Sequence, residues 1–527
     1  VNAGGTLAGN GVVGNTTING GVLSPGNSIG VLTVQGNLIF TAAASYSVEV
    51  SPSNADRTDV TGTATLGGAR VNASFAAGTY VAKQYTILNA AAGVSGTFAG
   101  PVNTNLPANF QPSLSYDANN AYLNLDLTLT KLGELNRNQH NVANALTNFF
   151  NTTGGIPLVF GTLTPTGLTQ VSGETAAGSQ QTTFNAMNQF MGVMTDPFIS
   201  GRGDPIGAGG SPNAFADEQS LANAAKRKPS DALAAIYTKA PSPVRTFEQR
   251  WSVWAAGFGG SQTTDGNTIA GSNNTRNSIY GVAAGSDYRL SPNTIAGFAL
   301  AGGGTNFSVN GFGSGRSDLF QAGAFIRHTI GAAYLSGALA YGWQEITTDR
   351  TVTVAGIDRL RAQFNANAWS GRVEGGYRFV SHGFGWTPYA AGQFTTFELP
   401  NYAEQAIVGA NTFALAYNAK SATDTRSELG LRSDKSFAMP NGILTLRGRA
   451  AWAHDFNPDR AIGATFQTLP GASFIVNGAR QASDSALVTG SVEMKWINGW
   501  STAATFEGEF SNVTRSYAGK GVVRYAW

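Results

Sequence analysis

Cysteine is absent from all 527 residues. That excludes a disulfide framework, thiolate metal ligation and a cysteine nucleophile together. It also suits a chain that crosses an oxidising compartment before it folds. Charge is scarce, at 12% of residues, and nearly balanced, with 33 Lys+Arg against 31 Asp+Glu. No basic stripe is interleaved with stacking aromatics, so nothing points to nucleic acid as a partner. The four histidines, His140, His328, His382 and His454, lack paired ligand spacing, and no metal or other cofactor is implied. No apolar run approaches the roughly 20 residues that a membrane-spanning helix needs. Val1 does not open on a charged start followed by an apolar stretch, as an export signal would. Because the chain begins inside a Gly/Asn-rich pattern, we expect a C-terminal piece whose export signal lies upstream.

What is abundant is glycine, at 67 residues, in a mixture suited to many short strands and turns. Over residues 1–130, pulses such as Val12-Val13, Ile18, Val22-Leu23, Ile29, Leu32 and Val34 sit between Gly/Asn turns. Such spacing predicts a stacked parallel β-helix; a small β-sandwich is the competing fold. Longer strands at 80–88 and 121–127 would cap the stack. Residues 131–249 read differently. Leu132, Leu135, Val142, Leu146 and Phe149-Phe150 recur at helical intervals, as do Phe184, Met187, Phe190, Met191 and Met194. The stretch Pro197 to Pro212 reads as a flexible linker. Helical patterns follow at 217–225 and 230–239, around Lys226-Arg227-Lys228.

From residue 250 to the end, alternating strands follow one another without a helix. About twelve are expected, starting near Trp251, Asn277, Asn293, Ser317, Ala333, Gln363, Gly385, Thr425, Ile443, Ser485, Trp500 and Val513. Short links such as 290–293 alternate with longer ones such as 263–274, 354–360 and 457–477. Successive side chains in a strand point to opposite faces. Trp369, Val373, Tyr377 and Phe379 therefore oppose Ser370, Arg372, Glu374 and Arg378. Leu444, Leu446, Ala450 and Trp452 oppose Thr445, Arg447 and Arg449. Val488, Val492, Met494 and Trp496 oppose Thr489, Ser491, Glu493 and Lys495. Trp500, Phe506 and Phe510 oppose Ser501, Thr505, Glu507 and Glu509.

The charged face mixes both signs, as a water-filled lumen with paired charges would, and the aromatics gather near strand ends, as in membrane girdles. We therefore expect an antiparallel transmembrane β-barrel. Its lumen would be lined by Arg372, Glu374, Arg378, Glu428, Arg432, Arg447, Arg449, Glu493, Lys495, Glu507 and Glu509. The last strand, Tyr517 to Trp527, ends on alternating aromatics, an apolar edge that soluble proteins avoid.

Three segments together resemble the C-terminal part of a classical monomeric autotransporter, the type V secretion family. Ser24-Pro25-Gly26-Asn27-Ser28-Ile29-Gly30-Val31-Leu32-Thr33-Val34, with Tyr46 to Val50 and Asp59 to Ala64, is similar to the repeat that closes passenger β-helices. Val171-Ser172-Gly173-Glu174 resembles the opening of the helical segment before the barrel. Residues 251–527 resemble the barrel itself. The resemblance implies a passenger β-helix end with an autochaperone-like role at 1–130 and a linker at 131–249. It places an outer-membrane barrel at 250–527, which exports the chain's own N-terminal part to the cell surface. It also implies a helix retained in the lumen: Gly173 to Thr195 is the candidate and Ser230 to Lys239 the rival. Implied partners are outer-membrane lipid, the β-barrel assembly machinery, periplasmic chaperones and a host or neighbouring-cell ligand of the passenger. Lys520, Val523, Tyr525 and Trp527 match the family's terminal assembly signal, although the glycine stands at 521 and position 522 is valine. The Asn-Asn pairs at 119–120 and 273–274 fall in expected turns or loops, so self-cleavage is not assigned. A retained-stem adhesin and a general porin are the other function classes.

Two motifs invite other chemistry. Gly26-Asn27-Ser28-Ile29-Gly30 matches a nucleophile elbow, but that device needs a strand-to-helix turn and an activating histidine, and here strand follows. Arg202-Gly203-Asp204 is an integrin-type tripeptide that would lie on the periplasmic side, and inert, if the plug helix precedes it. The chain is read as non-enzymatic.

Overall fold

Short apolar pulses cannot bury a face alone, and the stem solves this by stacking them. The computed structural model describes residues 1–76, 80–199, 202 and 250–527. The helical stretches expected at 217–225 and 230–239, and the basic run between them, lie outside the described residues.

Three parallel sheets wind around one core in the stem. Thr6–Gly9, Val22–Pro25, Ser45–Val50, Arg70–Phe75 and Ala99–Thr104 stack on one side. Gly11–Val13, Val31–Val34, Arg57–Val60 and Gln84–Ala90 stack on the second. Thr16–Ile18, Leu38–Phe40, Ala64–Thr65 and Val94–Ser95 stack on the third. The parallel register, for example Leu32 beside Thr58, is that of a β-helix and not of a sandwich. Ile18, Leu23, Val34, Leu38, Tyr46 and Val71 are fully buried between the sheets, each burial contributing about 1.5–3 kcal/mol. Asn15 and Asn37 stack at one corner, each accepting an N–H from the next coil, at 2.7 and 3.0 Å. An antiparallel pair, Phe110–Tyr116 and Asn120–Leu127, ends the second sheet. In its turn Asp117 accepts from the Tyr122 hydroxyl at 2.7 Å and from the amides of Asn119 and Asn120.

Helix α1, Arg137–Thr153, leaves the stem behind a capping box in which Asn136 and Gln139 satisfy each other's backbone N–H. Helix α2, Pro165–Val171, starts on Thr164 with proline in its first turn. A 3₁₀ turn, Glu174–Ala177, runs into helix α3, Gly178–Met194.

The barrel is a closed ring of twelve antiparallel strands. In chain order β1 is Trp251–Thr264, β2 Thr275–Ser291, β3 Thr294–Val309, β4 Gly313–Ile330, β5 Ala333–Val352 and β6 Asp358–Tyr377. Then come β7 Phe384–Leu399, β8 Lys420–Met439, β9 Gly442–Asp455, β10 Asp484–Trp496, β11 Trp500–Phe510 and β12 Thr514–Ala526. Closure is by β1 on β12, paired from Ser252–Ala526 to Thr264–Thr514. One end carries short links at 292–293, 331–332, 440–441 and 497–499. The other carries 265–274, 353–357, 400–419 and 456–483, together with tight turns at 310–312 and 511–513. Two of the long links form their own antiparallel sheet, Tyr402–Ala403, Leu415–Tyr417, Ala461–Phe466 and Ser473–Asn477, over the barrel mouth. Helix α1 sits on it: the Asn138 amide donates to the carbonyls of Asn477 and Gly271, and Asn141 donates to that of Ile475.

The occupied lumen as candidate functional site

Strand alternation sends mostly small, apolar and uncharged polar inward residues to one half of the ring, with Asp287, Arg327 and Arg350 toward its two ends, and gathers most of the charged ones on the other half. On β1–β5 the inward side includes Phe258, Ile279, Ala299, Ala301, Phe325 and Ala340. Helix α3 packs against this half, along β1 to β7, and buries Phe184, Met187, Phe190, Met191 and Met194. Two glycines permit the close approach. A Cβ on Gly342 would lie 2.8 Å from the Met187 sulfur, and one on Gly323 would lie 2.8 Å from that of Met194. Polar side chains set the helix register. Gln344 donates to the Thr183 hydroxyl at 3.0 Å, Asn185 to Gln262 at 2.9 Å, and Arg460 to Gln181 at 2.9 Å. At about 1.5 Å per residue, the seventeen residues of α3 cover roughly 25 Å.

Both ends of the plug are fastened. At the long-loop mouth Glu174, buried at the start of the 3₁₀ turn, accepts the Asn273 backbone N–H at 2.7 Å and its side-chain amide as well. Burial pushes the Glu174 carboxyl up to about 7. Beside it Arg350 pairs with Glu404 at 2.7 Å and donates to the Gln170 carbonyl at 3.0 Å. At the C-terminal end of the helix Lys520, midway along β12, donates to the Gly192 carbonyl at 3.1 Å and pairs with Asp196 at 3.1 Å and Glu507 at 3.2 Å. Arg202 lies between the rings of Trp254 and Phe325, 4.9 Å from each, and pairs with Asp287 at 2.7 Å. It also donates to the Val193 carbonyl at 3.3 Å. Cations therefore meet the helix at its negative end, the sense the helix dipole favours.

The opposite wall carries the expected charges. Arg372 bridges Glu374 and Glu428, at 2.8 and 3.2 Å; Arg432 pairs with Glu374 at 2.7 Å; Arg449 reaches Glu428 at 3.3 Å and Glu507 at 3.9 Å. Arg447 pairs with Glu493 at 2.6 Å, and Glu509 with Arg426 at 2.8 Å. Arg378 pairs with Asp434 at 2.6 Å near the short-turn rim. A polar cavity of about 150 Å³ remains between this wall and α3.

Several sequence expectations need correction. Lys495 keeps the inward parity but is exposed beside the turn at 497–499, because β10 ends there. Lys520, read as part of the assembly signal, points into the lumen, while Val523 and Trp527 point outward and are 45% and 49% exposed. The flexible-linker reading fails at its start, since Phe198, Ile199 and Arg202 are buried inside the barrel. Arg202 is thereby withdrawn from any exposed tripeptide; Gly203 and Asp204 lie outside the described residues. Asn273, expected as a plain loop residue, holds Glu174. Asp287 and Asp196 escaped the sequence reading, and Glu174 entered it only as part of the segment that opens the helix, without its partner Asn273. Asp287 had a signal, as a lone acid at an inward position of a strand otherwise lined there by the uncharged Thr275, Asn277, Ile279 and Ala283. Ser28 sits in a turn at φ +69° with strand Val31–Val34 following, which is not a nucleophile elbow. Among the described residues no group of three His, Cys, Asp or Glu is placed to hold a metal ion.

Residues 253–507 match the family described as Autotransporter beta-domain. This barrel is an autotransporter β-domain. That match places the barrel in the outer membrane. A Serratia marcescens protein described as an extracellular serine protease is 26% identical over 531 residues, covering 93% of this chain and 48% of its own length. The chain thus spans about half of that relative. Among solved structures, the translocator domain of NalP from Neisseria meningitidis overlays at a TM-score of 0.44 and 16% identity, over 52% of this chain and 88% of its own. The β-domain of the Bordetella autotransporter BrkA does so at 0.42 and 18%, over 53% and 100%.

Proposed function

We propose that residues 1–130 are the C-terminal end of the passenger and template its folding outside the cell. Residues 131–249 are the linker that carries the plug, and residues 250–527 are the translocating barrel. The path of the chain carries this reading. The stem stands at the long-loop end, α3 descends through the lumen, Arg202 is anchored at the short-turn end, and β1 begins at that same end. A chain laid down this way has its N-terminal part outside when its barrel is in the membrane. Each coil of the stem offers the next an apolar face and open strand edges, so folding outside opposes return through the lumen.

In this reading the charged wall, with both signs paired across it, keeps a hydrated track beside an extended chain without one sign holding it. Val523, Tyr525 and Trp527 are the residues that meet the β-barrel assembly machinery, after periplasmic chaperones have kept the chain unfolded. The reading assigns this chain no catalytic residue and no cofactor. Whatever the passenger does, including any host or neighbouring-cell ligand it binds, belongs to the passenger as a whole. Deleting Gly173 to Thr195 from the full chain should convert a closed channel in planar bilayers into a conducting one. Unchanged low conductance would remove α3 from the role of plug.

A further inference from the structure

The outward face of the barrel changes chemistry at one height near the long-loop end. On β2 the outward positions run Arg276, Ser278, Tyr280, Val282 and on to Leu290; on β12, Arg515, Tyr517 and on to Trp527; on β4, Arg316, Asp318, Phe320 and on to Ile330. From the first aromatic to the last residue named, each stretch spans ten residue steps. At about 3.4 Å per residue and a barrel tilt near 40°, that is roughly 25 Å, the height of a membrane-facing band. The three arginines stand two or four residues above it, at headgroup depth.

We propose that Arg276, Arg316 and Arg515 form a strip that binds the phosphorylated headgroup of an anionic outer-leaflet lipid. The register draws them together. Thr263 pairs with Arg276 on one side and Arg515 on the other, and Asn306 pairs with both Ser278 and Arg316. With strands about 4.8 Å apart, neighbouring arginines lie on the order of 10 Å from one another. None of the three meets a carboxylate within ion-pair distance among the described residues, whereas the lumen arginines on the far wall are paired. An outward cleft of about 670 Å³ lies here, lined by Ser261, Arg276, Ser278, Asn306 and Arg316, with Arg361 at its edge already neutralised by Asp349 at 2.7 Å. Asp318, Glu345 and Asp349 border the strip on β4 and β5, so its positive end lies on β2 and β12. The chemistry is donor-only guanidinium flanked by hydroxyl and amide groups, which suits phosphate on a sugar. Its place directly above an apolar band selects a lipid over a soluble anion. The inference rests on the long-loop end facing outward.

The test uses the full chain in phosphatidylcholine nanodiscs doped with diphosphoryl lipid A or with its dephosphorylated form, and measures lipid retained through purification. Each interfacial arginine strengthens attraction to an anionic surface by about fivefold. Substituting all three (Arg276→Gln, Arg316→Gln, Arg515→Gln) should therefore lower retention of the phosphorylated form by at least roughly tenfold. Lys435→Gln, an outward cation at the other end of the barrel stacked on Phe384, should leave it unchanged. Heat-modifiable migration of every variant verifies the fold. Equal retention of the two lipid forms, or full retention by the triple variant, would overturn the proposal. Displacement by excess inorganic phosphate would also overturn it, marking a site for free anions.

Discussion

Asp287 shows how much one side chain can hold. It accepts from Arg202 twice, from Trp254 at 3.1 Å, and faces Arg524 at 3.6 Å, all out of water. Breaking a buried pair by removing one partner leaves a charge uncompensated, at a cost of about 3–5 kcal/mol. Asp287→Asn should accordingly lower the temperature at which the barrel loses its heat-modifiable form and add current fluctuations in bilayers. A variant as stable and as quiet as the parent would mean that Arg202 does not anchor the plug. Glu174 offers a pH-dependent counterpart at the other end. Its folded-state value is raised above that of the unfolded chain, so its contribution is complete below about 4.5 and is lost as pH rises through about 7. Protease protection of the segment around 174 should fall over that interval, and Glu174→Gln should flatten the dependence. An unaltered slope in that variant would assign it elsewhere.

Elements were legible where their periodicity met a uniform environment. All twelve barrel strands begin within about five residues of the expected starts, the largest gaps being at β6 and β8, where Asp358 and Lys420 precede Gln363 and Thr425. The discrepancy has a cause. These strands rise above the membrane band, where outward Arg361, Gln363 and Thr423 face water, so the polar–apolar contrast that marks a strand is lost while its pairing continues. Helix α3 was visible from its Phe and Met spacing, but its seat was not, since Gly323 and Gly342 read as ordinary strand glycines. Gly342→Leu should push Met187 off the wall and open a measurable leak, with circular dichroism still reporting the barrel. Wild-type conductance would show that the helix can shift to accommodate it.

At the scale of the whole molecule, lid sheet, linker and stem form one continuous assembly over the mouth. Phe160 packs edge-on against Phe413 and Phe466 of the two long links, both at 5.2 Å. Assembly of this unit makes the last strand decisive. Tyr525 and Trp527 face outward at the short-turn rim, where a charge on the lipid side costs only about 0–1 kcal/mol. That is too little to unfold a closed barrel. Replacing both with charged residues should nevertheless abolish membrane insertion in cells while leaving refolding in detergent intact, which separates recognition from stability. Normal insertion of that variant would remove the terminal aromatics from the assembly signal.

Alternation and pulse spacing settle which residues share a face, and so the sequence alone determined a barrel of about twelve strands, a stem of short strands and a helix between them. The parallel register that makes the stem a β-helix was decided by the tertiary structure. Faces are a local property, readable two or four residues at a time. Which long-range partners meet across those faces is not. That Arg202 reaches Asp287, that Lys520 turns inward to the end of α3, and that the plug leans on the apolar half of the ring were decided only when closure of the barrel brought distant segments into one enclosed volume.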